Sequence, residues 1–317
     1  MRLVTFTESD QKPRPGALQG DRVVDLSGQI GSIRELIDGG PELLLSVHDA
    51  LGKAHSQVSL TQVTLLAPIL NPPRIFCLGL AYRDHAVETH QAIPKVPTIF
   101  LKLTSALNGP HSTVVLPKLT QQPDYEAEFA FVIGKGGKDI SADRWQEHVF
   151  GYTIMNDVSA RDIQMSTSQW SLGNSFDTFA PLGPAIVTKD EVPDPHSLNI
   201  KLTIGGKLLQ HSNTRELIFR IPDLITYISS ITPLQPGDII STGTPSGVGL
   251  GRTPHRWLRP GETMITEIEK IGQLINPVIA EATTHRSGLP AAWLSCVLAT
   301  QPVQIRSRTP HVSSHHF

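Results

Sequence analysis

The sequence predicts an α+β fold: a mixed β-sheet roll preceded by a small N-terminal α/β domain. Three observations carry this. Short apolar runs with β-branched and aromatic residues recur along most of the chain, punctuated by Gly/Pro turns. Helical patterning is confined to a few short patches. A consecutive-proline step, Asn71-Pro72-Pro73, breaks the pattern early, because neither a helix nor a central strand continues through it.

Taken in order, Leu3 to Phe6 and Val23 to Leu26 read as strands. Ser32 to Ile37 and Pro41 to Lys53 read as helices, and Thr61 to Ala67 as a further strand. Residues 1–70 are therefore expected to form the small N-terminal domain and residues 71–281 the larger core. In the core, Ile75 to Leu78 reads as a buried strand, Gly79 as a turn and Asp84 as the start of a short helix. Turns are expected at Asn108-Gly-Pro, Gly134-Lys-Gly-Gly, Gly205-Gly and Pro236-Gly-Asp, and helical patches at Ala142 to His148, Arg161 to Thr167 and Ile221 to Ile231. The last stretch, 282–317, has no Asp or Glu but carries Arg286, Arg306, Arg308 and several His, and reads as an atypical, poorly ordered tail.

Composition narrows the function classes. In 317 residues, 27 Lys and Arg stand against 29 Asp and Glu, a net charge of −2. That balance gives no electrostatic reason to bind nucleic acid or an anionic membrane. No run of apolar residues is long enough to span a bilayer, and the first residues do not read as a secretory signal. The only cysteines, Cys77 and Cys296, are far apart, and Cys77 lies in an apolar run. Both read as reduced thiols, which suits the cytoplasm.

The chemistry is concentrated between residues 124 and 162. Glu126 and Glu128 stand two apart in a strand-like run, so their side chains share a face. Adjacent carboxylates among Phe129, Phe131, Val132 and Ile133 are costly to bury without a cation. Asp157, after the apolar run Phe150 to Met155, offers a third oxygen ligand. An all-carboxylate set suits Mg2+ or Mn2+ better than zinc. The competing reading is an edge strand whose glutamates face water.

His85 and Glu88 fall three apart at the start of the predicted helix, on one face. A carboxylate beside an imidazole orients the ring and makes a general base. His90 is turned well away from His85 by the helical period and the spacing is not a metalloprotease one, so a zinc helix is the weaker reading. Neither Gly134-Lys-Gly-Gly-Lys nor Thr242-Gly-Thr-Pro-Ser-Gly-Val-Gly has phosphate-loop spacing, and both read as turns with positive-φ glycines. There is no Gly-x-Ser-x-Gly elbow.

The order of segments resembles the fumarylacetoacetate hydrolase family over roughly residues 72–281. The matching pieces are Gly79-Leu-Ala-Tyr-Arg-Asp-His, Ile99-Phe-Leu-Lys102, Asp124-Tyr-Glu-Ala-Glu, Asn156-Asp-Val-Ser-Ala-Arg-Asp-Ile-Gln164 and Ser175-Phe-Asp-Thr-Phe-Ala-Pro-Leu-Gly-Pro. Gln210-His-Ser-Asn-Thr, the Pro236 to Gly249 segment and Pro260-Gly-Glu complete them.

The resemblance implies a Mg2+- or Mn2+-dependent homodimer acting on a small oxo-acid. Glu126, Glu128 and Asp157 would be metal ligands, and His85 and Glu88 the catalytic dyad. Lys102, Arg161, Gln164, Asn174 and Thr244 would contact the substrate. The family default is hydrolysis of a C–C bond in an acylpyruvate. The same enolate chemistry also supports an oxo-acid tautomerase, isomerase or decarboxylase, with oxaloacetate as an example. A catalytically silent scaffold is the alternative from another class.

Two positions depart from the family pattern. Asn174 stands where Gly-Lys-Ser-Phe has its lysine, and Ala81 stands where Gly-x-Asn-Tyr has asparagine. Loss of one preorganised charge costs on the order of a hundredfold to a thousandfold in rate, so C–C hydrolysis is expected to be weakened.

Overall fold

The computed structural model describes residues 1–52 and 56–282. Apart from Ala282, the expected tail lies outside the described residues, as does Cys296. Among the described residues the main sheet runs from Gln57–Ser59 through Arg22–Asp25, Arg14–Gln19, Arg2–Thr7, Ala180–Thr188, Val149–Asn156, Ala127–Ile133, Ile239–Ser241 and Ile75–Gly79 to Thr98–Lys102. Thr64–Leu66 pairs with the first strand, and Leu107–Asn108 pairs with Ala180–Thr188. A second sheet orders Lys207–Asn213, Asn199–Ile204, Thr263–Ile268, Gly272–Ala280 and Val114–Leu116. Many strands and few helices make this the expected α+β roll.

The Ala127–Ile133 strand explains the layers. All of its residues are buried, so its sequence shows no polar alternation. The two faces are nevertheless distinct. Phe129, Phe131 and Ile133 pack with Leu202, Met264, Ile268 and the Ile221–Ile231 helix. Ala130 and Val132 pack toward Ile33, Leu36, Ile37 and Val47 of the two N-terminal helices. Glu126 and Glu128 share the parity of Ala130 and Val132. They lie at the strand's start, where that face is covered by polar segments instead of helices.

Helix ends follow the local chemistry. Ser32 caps Ile33–Asp38 by accepting from the Glu35 amide at 3.0 Å. Asp223 reaches back from the first turn of Ile221–Ile231 to the Arg220 amide at 2.8 Å.

Arg14–Gln19 is a strand, and a side chain at position 16 would press on Val23 and the Phe6 ring, so packing calls for the glycine there. Two local expectations need correction. Thr61 to Ala67 resolves into a 3-10 turn, Leu60–Gln62, and a short strand, Thr64–Leu66. None of Gly134, Gly136 and Gly137 has a positive φ. A side chain would instead press on Phe150 at Gly134, on the Leu234 carbonyl at Gly136, and on Ile140 and His148 at Gly137. No helix among the described residues is long and apolar enough to cross a membrane.

Candidate active site

The antiparallel pairing of Ala127–Ile133 with Val149–Asn156 sets Ala127 opposite Asn156. Glu126 and Asp157 therefore flank the same end of the pair. The Asp157 amide donates to the Glu126 carbonyl at 2.9 Å, and the Asn156 side chain accepts from the Glu126 amide at 3.0 Å. One carboxylate oxygen from each of Glu126, Glu128 and Asp157 lies within 4.8 Å of the others. The water-facing edge strand is excluded. Ala127–Ile133 is paired on both sides, and Glu126, Glu128 and Asp157 are 7%, 1% and 0% exposed.

The donor set fits a hard divalent cation. Glu128 Oε2 accepts from the Ser241 hydroxyl at 2.5 Å and the Gly243 amide at 3.1 Å, whereas Glu128 Oε1 has no hydrogen-bond partner. Asp157 Oδ1 faces Lys102 Nζ at 2.6 Å, and Asp157 Oδ2 has no partner. Burial, followed by the neighbouring Asp157 and Glu126 charges, pushes the Glu128 carboxyl well above the usual range. Burial also raises Glu126, against the opposing pull of Arg161. Buried carboxylate oxygens without partners are what a cation neutralises. Beside them, Cys77 is buried and unpaired, and burial pushes its thiol well up, as for an inert structural cysteine.

These shifts have a pH consequence. Carboxyls raised in the folded protein contribute stability that is complete below their unfolded value, about 4. That contribution is lost as pH rises through the folded values. A metal needs the ionised forms. Mg2+ or Mn2+ is therefore expected to raise the melting temperature more at pH 8 than at pH 5.5, relative to EDTA-treated protein. Differential scanning fluorimetry reads this, and a pH-independent increment would contradict it.

The catalytic candidates lie on the short helix Arg83–Glu88. His85 Nδ1 stands 3.2 Å from Glu88 Oε2. The Gly247 amide donates to both Glu88 oxygens, at 2.9 and 3.1 Å. Asp84 steadies the helix by accepting from the His85 amide at 2.8 Å and the Ser212 hydroxyl at 2.5 Å. The carboxylate cluster and the His85–Glu88 pair meet on one loop, where the Gly243 amide donates to Glu128 and the Gly247 amide, four residues on, donates to Glu88.

The residues expected to contact substrate are differently placed. Arg161 Nη2 reaches Glu126 at 2.5 Å, its Nε reaches Asp124 at 2.9 Å, and its Nη1 reaches Gln164 at 3.0 Å. Lys102 is buried against the carbonyls of Val158, Asn174 and Phe179 as well as Asp157. The Asn174 side chain accepts from Ser159 at 2.6 Å and donates to the Trp170 carbonyl at 2.9 Å. Thr244 donates to the Ala127 carbonyl at 3.0 Å and accepts from Gln210 at 2.8 Å. Lys102, Asn174 and Thr244 thus spend these polar atoms within the protein. Ala81 is buried, and a Cβ added at Gly243 would stand 2.5 Å from the Ala81 Cβ. Sequence reading assigned no role to Asp124, Ser241, Gln210 or Gly247.

Comparison with known proteins identifies the family. The profile of the fumarylacetoacetate hydrolase C-terminal family matches residues 74–279. An oxaloacetate tautomerase described as mitochondrial, from Xenopus laevis, is 44% identical over 288 residues, covering 88% of this chain and 90% of the relative. A fumarylacetoacetate hydrolase from Exiguobacterium antarcticum superposes with a TM-score of 0.79 at 36% identity, covering 89% of this chain and 100% of that one. The maleylpyruvate hydrolase of a Sphingobium species, solved with manganese(II) and pyruvate, gives a TM-score of 0.77 at 31% identity, over 89% and 100% of the two chains.

Proposed function

The chain belongs to the fumarylacetoacetate hydrolase family and is an enzyme of its isomerase or hydrolase kind, and from that premise we propose that it tautomerises a small 2-oxo-dicarboxylic acid of the oxaloacetate type. The observation that carries the reading is the buried Glu126–Glu128–Asp157 set, with partnerless oxygens on Glu128 and Asp157, joined by one loop to the His85–Glu88 pair. Mg2+ or Mn2+ held there would supply the Lewis acidity that acidifies the carbon beside the ketone. His85 takes a proton from C3, and the imidazolium so formed returns that proton, directly or through a water, to the C2 oxygen, which regenerates neutral His85. Only a C–H bond breaks and an O–H bond forms. Glu88 fixes the imidazole, with Nδ1 toward its carboxylate and Nε2 left as the base. Arg161 holds Glu126, and Lys102 holds Asp157, each by a charge-assisted contact.

Tautomerisation is preferred to C–C hydrolysis because Asn174 brings no charge and both ends of its carboxamide are engaged. A cleaved enolate therefore lacks one stabilising cation. Hydrolysis of an acylpyruvate is the second reading, favoured by the manganese- and pyruvate-bound neighbour. Asn174→Lys is expected to raise acetylpyruvate cleavage at least about tenfold, measured as pyruvate plus acetate by proton NMR. An unchanged rate would remove Asn174 as the reason for weak hydrolysis.

The test of the main reading is C3 deuterium exchange and keto–enol conversion of oxaloacetate in D2O, with metal or with EDTA. Metal-dependent acceleration supports tautomerisation. Pyruvate from oxaloacetate would point to decarboxylation, and cleavage of acetylpyruvate without exchange would give the hydrolase. A homodimer belongs to the same proposal and is read by light scattering. The buried reduced Cys77 fits a reducing compartment, and cell fractionation decides between cytoplasm and the mitochondrial location of the Xenopus relative.

A further inference from the structure

We propose that Asp124 is a positioning residue that fastens the 243–250 loop to the metal-ligand side of the site, so that the His85–Glu88 dyad and Glu126 are held as one unit. This rests on the function proposed above. Asp124 is fully buried, and its carboxylate accepts from four donors. Oδ1 takes the amides of Tyr125 at 2.9 Å and Gly249 at 2.7 Å. Oδ2 takes the Leu250 amide at 3.0 Å and Arg161 Nε at 2.9 Å.

Arg161 carries the connection onward, because its other arm ends on Glu126 at 2.5 Å. The loop carries it the other way, since the Gly247 amide, two residues before Gly249, grips Glu88. Arg252 ties the same loop back by donating to the Gly247 carbonyl and to Tyr125 Oη, each at 3.2 Å. The chain Glu88–loop–Asp124–Arg161–Glu126 is thus continuous through hydrogen bonds and covalent backbone.

The glycines show how closely the carboxylates approach. A Cβ at Gly249 would stand 2.6 Å from Asp124 Oδ1, and one at Gly251 would stand 2.5 Å from the Glu88 carboxyl carbon. Gly247, at φ +103, would push a side chain into the Leu209 carbonyl. A buried carboxylate whose only task was filling space would be a poor choice, since desolvating its charge is costly unless donors satisfy it. Here its four acceptor bonds bring the loop that grips Glu88 and the arginine that holds Glu126 together.

The test uses the full chain with Mn2+ alone, then with oxaloacetate. In Asp124→Asn an amide NH2 must face two donors in either orientation, so the lock opens. Mn2+ Kd is expected to rise at least about tenfold, the usual scale for a residue supporting a ligand. The His85 ring nitrogen signals are expected to shift in NMR. In a double-mutant cycle with Glu88→Gln, the losses in C3 exchange should fall short of multiplying by at least about tenfold. Wild-type Mn2+ affinity, unmoved His85 signals, or losses that simply multiply would each overturn the proposal. If Asp124→Asn does not fold, Arg161→Lys carries the same expectations, because one ammonium does not reproduce the two-armed bridge. If wild-type protein does not exchange oxaloacetate protons, the proposed function fails, while the metal titration and imidazole signals still decide this inference.

Discussion

Glu128→Gln is expected to abolish measurable turnover, a loss of at least about a thousandfold, while making the metal-free protein more resistant to heat at pH 8. Ser241 and Gly243 both donate to Glu128 Oε2, so a glutamine turns its carbonyl oxygen toward them. Its NH2 then occupies the place of Oε1, the oxygen without a partner. A donor replaces an acceptor where a cation needs one, and Mn2+ affinity should fall by more than about a hundredfold. In the metal-free protein the same change removes one of three crowded, buried charges. Burial and the Asp157 and Glu126 charges hold Glu128 well above the ordinary range, so its ionised form destabilises the fold at high pH. That destabilisation disappears with the charge. The stability gain should shrink as pH falls toward the unfolded carboxyl value, where wild-type Glu128 is itself neutral. Calorimetric Mn2+ titration and thermal melts in EDTA read the two halves. A variant that bound Mn2+ like the parent, or melted lower than it in EDTA at pH 8, would break the assignment.

At the candidate site, sequence and structure agree on the spacings that place its side chains. The Glu126–Glu128 pair is legible because a strand repeats every two residues, and Asp157 because it ends the next apolar run. His85 and Glu88 are legible through helical spacing, and that helix is found at Arg83–Glu88. What escapes is whatever depends on distant backbone. The Gly247 amide lies 159 residues from Glu88, and the Gly249 amide 125 residues from Asp124. A backbone donor leaves no side-chain signature, so neither clamp is readable before the fold is known. Burial of charge is equally silent in the sequence: Lys102, whose substrate role the resemblance implies, is held among three carbonyls and Asp157.

His85→Gln is expected to separate proton transfer from metal binding. His85 is not one of the clustered carboxylates, and its Nδ1 is engaged with Glu88. Replacing it should leave Mn2+ Kd within about twofold, because no group that would touch the ion changes. Proton transfer by a positioned base contributes about a hundredfold to ten-thousandfold. The variant should therefore lose C3 exchange by that factor, with KM for oxaloacetate nearly unchanged. Glu88→Gln should cost less, because the imidazole stays and only its orienting charge is lost. A glutamine carbonyl still accepts from the Gly247 amide, or from His85, at some residual strength. The order of effects is informative in itself. If Glu88→Gln were the more damaging change, the carboxylate would be the base and His85 its support. If His85→Gln weakened Mn2+ binding as much as Glu128→Gln, the helix and the carboxylate cluster would form a single ligand set, and the division of labour argued from the two hydrogen-bond systems would be wrong. Isotope exchange and metal titration on the same two variants, at one pH and one metal concentration, decide among these outcomes.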